Sequence, residues 1–316
     1  MEKVLFICGS LNQTTIMHEI SMHLSEFDCY FTPYYGDGLI HVLNNYGMLD
    51  FTVMGGRFRQ QTDGFLKSSG VRIDHRGASN DYALVVTCQD LIIQKNIRKK
   101  KVVLVQEGMT DPENFIYHLV RRFKLPRYLA STAATGLSDA YEKFCVASEG
   151  YREHFINKGV KPEKIAVTGI PNFDNAIQYL DNRFPHKGYV LVATSDTRET
   201  FKLDNREKFL KSAISIANGR QLIFKLHPNE KVERSTREIK RHAPDAVIFS
   251  DGDINPMIAN CDVLITQYSS VSFIGLALGK KVYSYFDLEM LRRLLPIQNG
   301  GISAERIAEV CRGYLS

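Results

Sequence analysis

Asp262-Val263-Leu264-Ile265-Thr266-Gln267-Tyr268-Ser269-Ser270-Val271-Ser272-Phe273 is the stretch that decides the fold. Val263 to Thr266 form an apolar, β-branched run. A polar turn follows, and Val271 and Phe273 then open a helical pattern. A strand without a polar face that passes directly into a helix belongs to a parallel sheet covered on both sides. Leu222-Ile223-Phe224-Lys225-Leu226-His227-Pro228-Asn229-Glu230 has the same design. An apolar run ends in a lysine and a histidine, and a proline prevents the strand continuing.

Outward from these two stretches the pattern repeats. Strands are predicted at Val4–Cys8, Ala83–Thr87, Val102–Gln106, Phe144–Ala147 and Ile165–Thr168. A second series follows at Tyr189–Thr194, Gln221–Lys225, Ala246–Phe249, Val263–Thr266 and Lys281–Tyr285. Helices are predicted at Thr14–Leu24, Glu113–Phe123, Tyr151–Lys158, Arg206–Ala217, Val232–Arg241, Ser272–Leu278 and Ala304–Tyr314. Strands alternating with helices specify an α/β architecture. The turn-rich Gly169-Ile170-Pro171-Asn172 and the segment Arg183-Phe184-Pro185-His186-Lys187-Gly188 divide the two series. The reading is two Rossmann-like domains, residues 1–175 and 176–316, facing each other across a cleft.

Composition narrows the class. The 316 residues are 44% hydrophobic and 24% charged, which excludes a disordered or collagen-like chain. The net charge of +5 suits an anionic ligand or an acidic membrane surface, and no dense basic stripe points to nucleic acid. Asn96-Ile97-Arg98-Lys99-Lys100-Lys101 is the one basic run, a candidate for peripheral contact with the inner membrane face. The six cysteines lie scattered in apolar runs, as buried free thiols in a reducing compartment do. Met1-Glu2-Lys3 leads straight into Val4-Leu5-Phe6-Ile7, and no run reaches the roughly 18 apolar residues of a bilayer span. A cytoplasmic protein is expected.

In open parallel sheets, ligands bind beyond the carboxyl ends of the strands. Lys225 and His227 can each donate hydrogen bonds to a phosphate there. Ser269 or Ser270 can cap the following helix, whose first N–H groups and positive dipole end attract an anion. One strand–helix pair separates the two loops, so adjacent or next-adjacent strands bring both to one sheet edge. Thr194, Ser195 and Arg198 leave the preceding strand and are candidates for touching phosphate or sugar. Gln267 precedes the serine pair.

The order Lys225-Leu226-His227-Pro228, then about 40 residues later Gln267-Tyr268-Ser269-Ser270 and Gly279-Lys280-Lys281-Val282, resembles the nucleotide-binding half of GT-B glycosyltransferases. It looks most like those with His-Pro and Ser-Ser motifs that use cytidine-nucleotide donors. These include bacterial sialyl-, polysialyl- and Kdo transferases and the teichoic-acid glycerophosphotransferases. The resemblance covers residues 160–300, including Val167-Thr168-Gly169-Ile170-Pro171-Asn172-Phe173-Asp174. It implies a C-terminal domain that binds a nucleotide-sugar donor, with His227, Pro228, Ser269 and Ser270 around the phosphate. It also implies an N-terminal domain that takes a glycan or lipid-linked acceptor in cell-surface polysaccharide synthesis.

Gln106-Glu107-Gly108 matches the second and third positions of the acidic-acidic-glycine motif of the sialyltransferase-type enzymes. Glu107 is the candidate base, since a carboxylate at a strand mouth can be partly desolvated and placed to accept a proton. Asp111 is its rival, although Asp111-Pro112-Glu113 also reads as a helix start. Gly9, Ser10 and Asn12 of the first strand–helix loop, with Gly108, Gly169 and Asn172, complete the acceptor side. The histidines lack ligand spacing such as His-x-x-x-His, so a metal-independent enzyme is expected, with no cofactor beyond the donor substrate. The same region resembles UDP-N-acetylglucosamine 2-epimerases. Ser195-Asp196-Thr197-Arg198-Glu199-Thr200 replaces their His-Arg-x-Glu-Asn, and Gln267-Tyr268-Ser269-Ser270 their Asp-Ser-Gly-Gly. An epimerase-like enzyme and a noncatalytic nucleotide-sugar-binding module are the alternatives.

Overall fold

The apolar runs build two all-parallel sheets in a computed structural model that describes residues 1–50, 52–195 and 205–316. The chain divides into one unit of Met1–Asp174 with Pro296–Ser316 and a second of Asn175–Leu295.

The first unit holds β1 (Lys3–Cys8), β2 (Asp28–Pro33), β3 (Arg72–Ile73), β4 (Leu84–Thr87), β5 (Lys101–Val105), β6 (Lys143–Val146) and β7 (Ile165–Val167). Their order is β3-β2-β1-β4-β5-β6-β7, with Val4 beside Leu84 and Val85 beside Val102. The second unit holds β8 (Tyr189–Ala193), β9 (Leu222–Lys225), β10 (Val247–Phe249), β11 (Cys261–Thr266) and β12 (Lys281–Tyr283), ordered β10-β9-β8-β11-β12. Strand order reverses between β1 and β4 in one sheet and between β8 and β11 in the other. Such switch points are where α/β sheets open a crevice for ligands.

Each sheet is sealed by helices. In the first unit Ile16, Met17 and Ile20 of the helix Leu11–Met22 pack with Val4, Phe6, Val103 and Val105. In the second, Phe209, Leu210 and Ala213 of the helix Arg206–Ala217 cover Val190, Val192, Phe224 and Val263. Each fully buried Val, Ile, Leu, Met or Phe among them contributes about 1.5–3 kcal/mol.

The ten predicted strands are present within two residues at either end. Asp28–Pro33 and Arg72–Ile73 are additional, as are the helices Leu39–Asn45, Gly56–Ser68, Ile254–Asn260 and Leu288–Leu294. The aromatic residues from Tyr30 to Tyr35 form much of β2 and its exit, with Phe31, Tyr34 and Tyr35 buried.

The end of the chain differs from the expected division. Residues 296–316 pack with the first unit, because Ala304, Ile307, Ala308 and Cys311 of the helix Ser303–Arg312 lie in the same core as Ile16 and Met17. Asp174 fastens this segment: its carbonyl accepts from Asn299 N–H at 2.9 Å and its carboxylate from Ser303 N–H at 2.9 Å.

Candidate functional site

In the second unit the sequence His227-Pro228-Asn229-Glu230 closes a tight turn beyond β9. Glu230 N–H donates to His227 C=O at 3.0 Å across a proline preset for the second turn position. The turn carries the Glu230 carboxylate back beneath His227, where Oε2 accepts from His227 N–H at 3.0 Å and from the Thr194 hydroxyl. Thr194 Oγ1 in turn accepts from His227 N–H at 3.1 Å. Glu230 Oε1 accepts from Ser235 Oγ at 3.1 Å and pairs with the buried Arg206 guanidinium at 3.1 Å. One buried carboxylate therefore joins the β8 exit, the β9 turn and the next helix.

The β8 exit is tied equally to β11. Ser195 Oγ donates to Gln267 Oε1 at 2.6 Å, with both residues buried. Gln267 C=O accepts from Ser284 Oγ at 2.9 Å and Tyr285 N–H at 3.2 Å beyond β12. Because β9, β8 and β11 are neighbours and parallel, His227, Thr194, Ser195, Gln267, Ser269 and Ser270 share one edge of one sheet. Pro228 is exposed beside them. Within the His227 ring, Nδ1 accepts from Asn229 N–H at 3.2 Å, which places the proton of the neutral ring on Nε2.

Two expectations change at this edge. Lys225 is buried, its ammonium donating to Leu226 C=O at 3.0 Å and Ser250 C=O at 3.2 Å, so it braces the β9–β10 edge. Burial pulls its pKa below the ordinary lysine value, against the charges of Asp251, Asp253 and Glu230. Ser270 occupies the cap position of the helix Val271–Ala277 but makes no side-chain capping bond. The N–H groups of Ser272 and Phe273 donate to Ser269 C=O and Ser270 C=O, and Val271 N–H reaches Ser269 Oγ only at 3.4 Å. The loop thus offers an anion hydroxyls rather than a row of backbone donors. Arg198, with residues 196–204, lies outside the described residues.

Sequence reasoning passed over Glu230, and also the aromatic cluster at the mouth of β11 and β12. There the exposed Tyr268 ring meets Tyr285 at 5.5 Å and Phe286 at 5.2 Å, both edge-on. It also passed over Asp251-Gly252-Asp253 beyond β10, where Asp253 caps the helix Ile254–Asn260 through Asn255 N–H at 3.0 Å. Among the described residues no group of three or more His, Cys, Asp or Glu side chains is placed to hold a metal.

In the first unit Glu107 leaves β5 and turns toward the loop after β1. Its Oε1 accepts from Ser10 Oγ at 3.1 Å and Asn12 Nδ2 at 3.3 Å, and its Oε2 from Gln13 Nε2. Ser10 also caps the helix Leu11–Met22 through Gln13 N–H. A Cβ on Gly9 would lie 1.7 Å from Gln13 Oε1, so a larger residue there displaces the side chain that donates to Glu107. Gln106 sets the strand mouth, accepting from Ala147 N–H at 2.9 Å and donating to Gly108 C=O at 2.8 Å. Asn172 donates to Glu107 C=O at 3.4 Å, and the Gly108 backbone faces the Phe173 ring. Beside Glu107, burial first and that carboxylate's charge second push the Cys88 thiol well above its ordinary pKa.

Asp111 is held apart from this group. Its carboxylate accepts from Ser131 Oγ at 2.9 Å and Thr132 Oγ1 at 2.8 Å. It is not a helix cap either. The helix begins at Phe115, where Asn114 accepts from Tyr117 N–H at 2.9 Å. Gly169 (φ +80°) packs against Ser303 and Asn299.

No protein-family model matches the chain, and no curated protein does. Solved structures do. The chain is 14% identical to the Methanocaldococcus jannaschii UDP-GlcNAc 2-epimerase in complex with UDP-GlcNAc and UDP, with 98% of this chain and 99% of that one covered and a TM-score of 0.60. It is 13% identical to S. aureus MnaA bound to UDP, over 100% and 97% of the two chains, at 0.60. It is 11% identical to a variant of the wall teichoic acid polymerase TagF soaked with CDPG, over 99% and 88%, at 0.54. With its two parallel sheets, the chain therefore has the two-domain, Rossmann-like α/β fold of the GT-B type.

Proposed function

We propose that this chain is a glycosyltransferase that moves a sugar from a nucleotide donor, activated by CMP or CDP, to a glycan or lipid-linked acceptor of cell-surface polysaccharide synthesis. The observation that carries the reading is the union of three neighbouring strand exits, β9, β8 and β11, by the Glu230–Thr194–His227 and Ser195–Gln267 hydrogen bonds. Such an edge presents an imidazole N–H and paired hydroxyls to one phosphate. His227 Nε2–H donates to the phosphate oxygen on which negative charge grows as the sugar departs. Ser269 and Ser270 share that charge, and no divalent ion is needed. The nucleobase stacks on Tyr268 or Tyr285. Glu107, oriented by Ser10, Asn12 and Gln13, takes the acceptor hydroxyl's proton as the new bond to the sugar forms.

Thermal unfolding with CMP, CDP, UDP and GDP tests the donor half. A nucleotide at about a hundred times its dissociation constant stabilises the fold by about 2.7 kcal/mol. His227→Ala should abolish the shift produced by the best nucleotide while melting like the wild type alone. It should also lower turnover about 10²- to 10³-fold. Glu107→Gln should keep the nucleotide shift and lose turnover, and wild-type turnover should persist in EDTA. Nucleotide shifts that ignore His227→Ala would refute the site. Binding without turnover on any donor–acceptor pair would make the chain a noncatalytic module.

A UDP-GlcNAc 2-epimerase activity is the second reading, favoured by the higher TM-scores of the epimerase structures. Epimerised sugar formed from UDP-GlcNAc without any acceptor would establish it.

A further inference from the structure

We propose that residues 115–129 form a surface that docks on an anionic lipid bilayer. The helix Phe115–Phe123 already spends one face on its own core, with Tyr117 and Val120 buried against Ala130, Ala133 and Ala134. A second apolar stripe faces outward. Phe115 (75% exposed) and Phe123 (61% exposed) lie eight residues apart on one side of the helix, with Ile116 beside them, and Leu125, Tyr128 and Leu129 extend the exposed surface beyond it. Three exposed basic residues, Arg121, Arg122 and Lys124, interleave with these side chains, and the segment holds no Asp or Glu; Arg127 is half-buried, with its guanidinium donating to Asp90 C=O at 3.1 Å. Exposed aromatics flanked by cations fit the headgroup boundary of a bilayer, where rings enter the acyl edge and cations meet lipid phosphates. A second copy of the chain is a poor occupant, because pairing this face with itself would oppose like charges.

The placement has a functional sense. The segment follows the carboxyl end of β5, the same sheet edge from which Glu107 projects. The basic run at 96–101, the sequence's own candidate for membrane contact, precedes β5 at the opposite edge. There Lys100 pairs with Asp81, and Lys101 donates to Tyr314 C=O at 2.9 Å. No helix among the described residues is long and apolar enough to cross a membrane, so contact would be from the surface. The inference stands whether or not the transferase reading does.

Co-sedimentation of the full chain with vesicles tests it. The chain should pellet at low salt with phosphatidylcholine vesicles containing about 30% phosphatidylglycerol, and stay in solution with phosphatidylcholine alone. Raising the salt should weaken binding. Phe115→Ser with Phe123→Ser should abolish pelleting, and Arg122→Ala with Lys124→Ala should lower partitioning about five-fold per cation removed. All these side chains are exposed, so wild-type melting of the variants serves as the control for folding. A wild-type chain that stays in solution with anionic vesicles, or well-folded variants that pellet like it, would overturn the proposal. So would capture by immobilised polyglutamate without vesicle binding, which would mark an acidic protein as the partner.

Discussion

Glu230 shows how much of the donor edge depends on a side chain that need not touch a ligand. Its carboxylate receives His227 N–H, the Thr194 hydroxyl and Ser235, and faces Arg206 at 3.1 Å, with none of its surface exposed. Removing one partner of a buried ion pair costs about 3–5 kcal/mol. Glu230→Ala should therefore lower stability by that amount in urea unfolding. Glu230→Gln should cost less, since its amide oxygen still accepts from the turn. A loss below about 1 kcal/mol for Glu230→Ala would show that the turn holds without it. The sequence displayed His227 and Ser269 because motif order exposes them. It concealed Glu230 because an acid three residues past a histidine reads as solvated surface until the proline turn is closed. Lys225 was misjudged for the converse reason: alternation does not reveal that its ammonium folds back onto Ser250.

Among elements, the return of the helix Ser303–Arg312 to the first sheet depends on a close approach at Gly169. Its φ of +80° lies in the left-handed region, and a Cβ there would stand 2.2 Å from Ser303 Oγ. Gly169→Ala should cost at least about 1–2 kcal/mol from the backbone alone. It should also speed amide exchange in Ile307–Cys311, and Ser303→Ala in the same chain should recover only part of the loss. Unchanged exchange would mean that the helix is not anchored through this turn. The β-branched strands were legible because each is apolar on both faces. The helix Gly56–Ser68 was not: only Thr62 and Leu66 are buried, and Gly64 interrupts a polar surface. Strand β3, two residues long, carries no periodicity at all.

At the scale of the whole molecule, the six cysteines report on packing. Cys8, Cys88, Cys145, Cys261 and Cys311 are buried, and burial pushes each thiol up, Cys145 and Cys261 to about 12. Cys29, half-buried beside Glu26 and Asp28, is raised to about 11, with burial the larger cause. Thiolate is the reactive form. At neutral pH the native chain should leave at least the five buried thiols unmodified by a disulfide reagent, and all six should react in concentrated guanidinium. Rapid native labelling of Cys8 or Cys311 would reveal openings of the first core that the fold does not provide for. The two-sheet division was readable from the turn at Gly169–Asn172, whereas membership of the final segment was not. Amphipathic spacing shows that Ala304, Ile307 and Cys311 need an apolar partner but not which sheet supplies it. A ribosome releases residues 303–312 only after every residue of the second unit has emerged. The nascent amino-terminal sheet must therefore wait, with Ile16 and Met17 packed on the strands but lacking Ala304, Ile307 and Cys311, while the unit translated later is already able to close its own core.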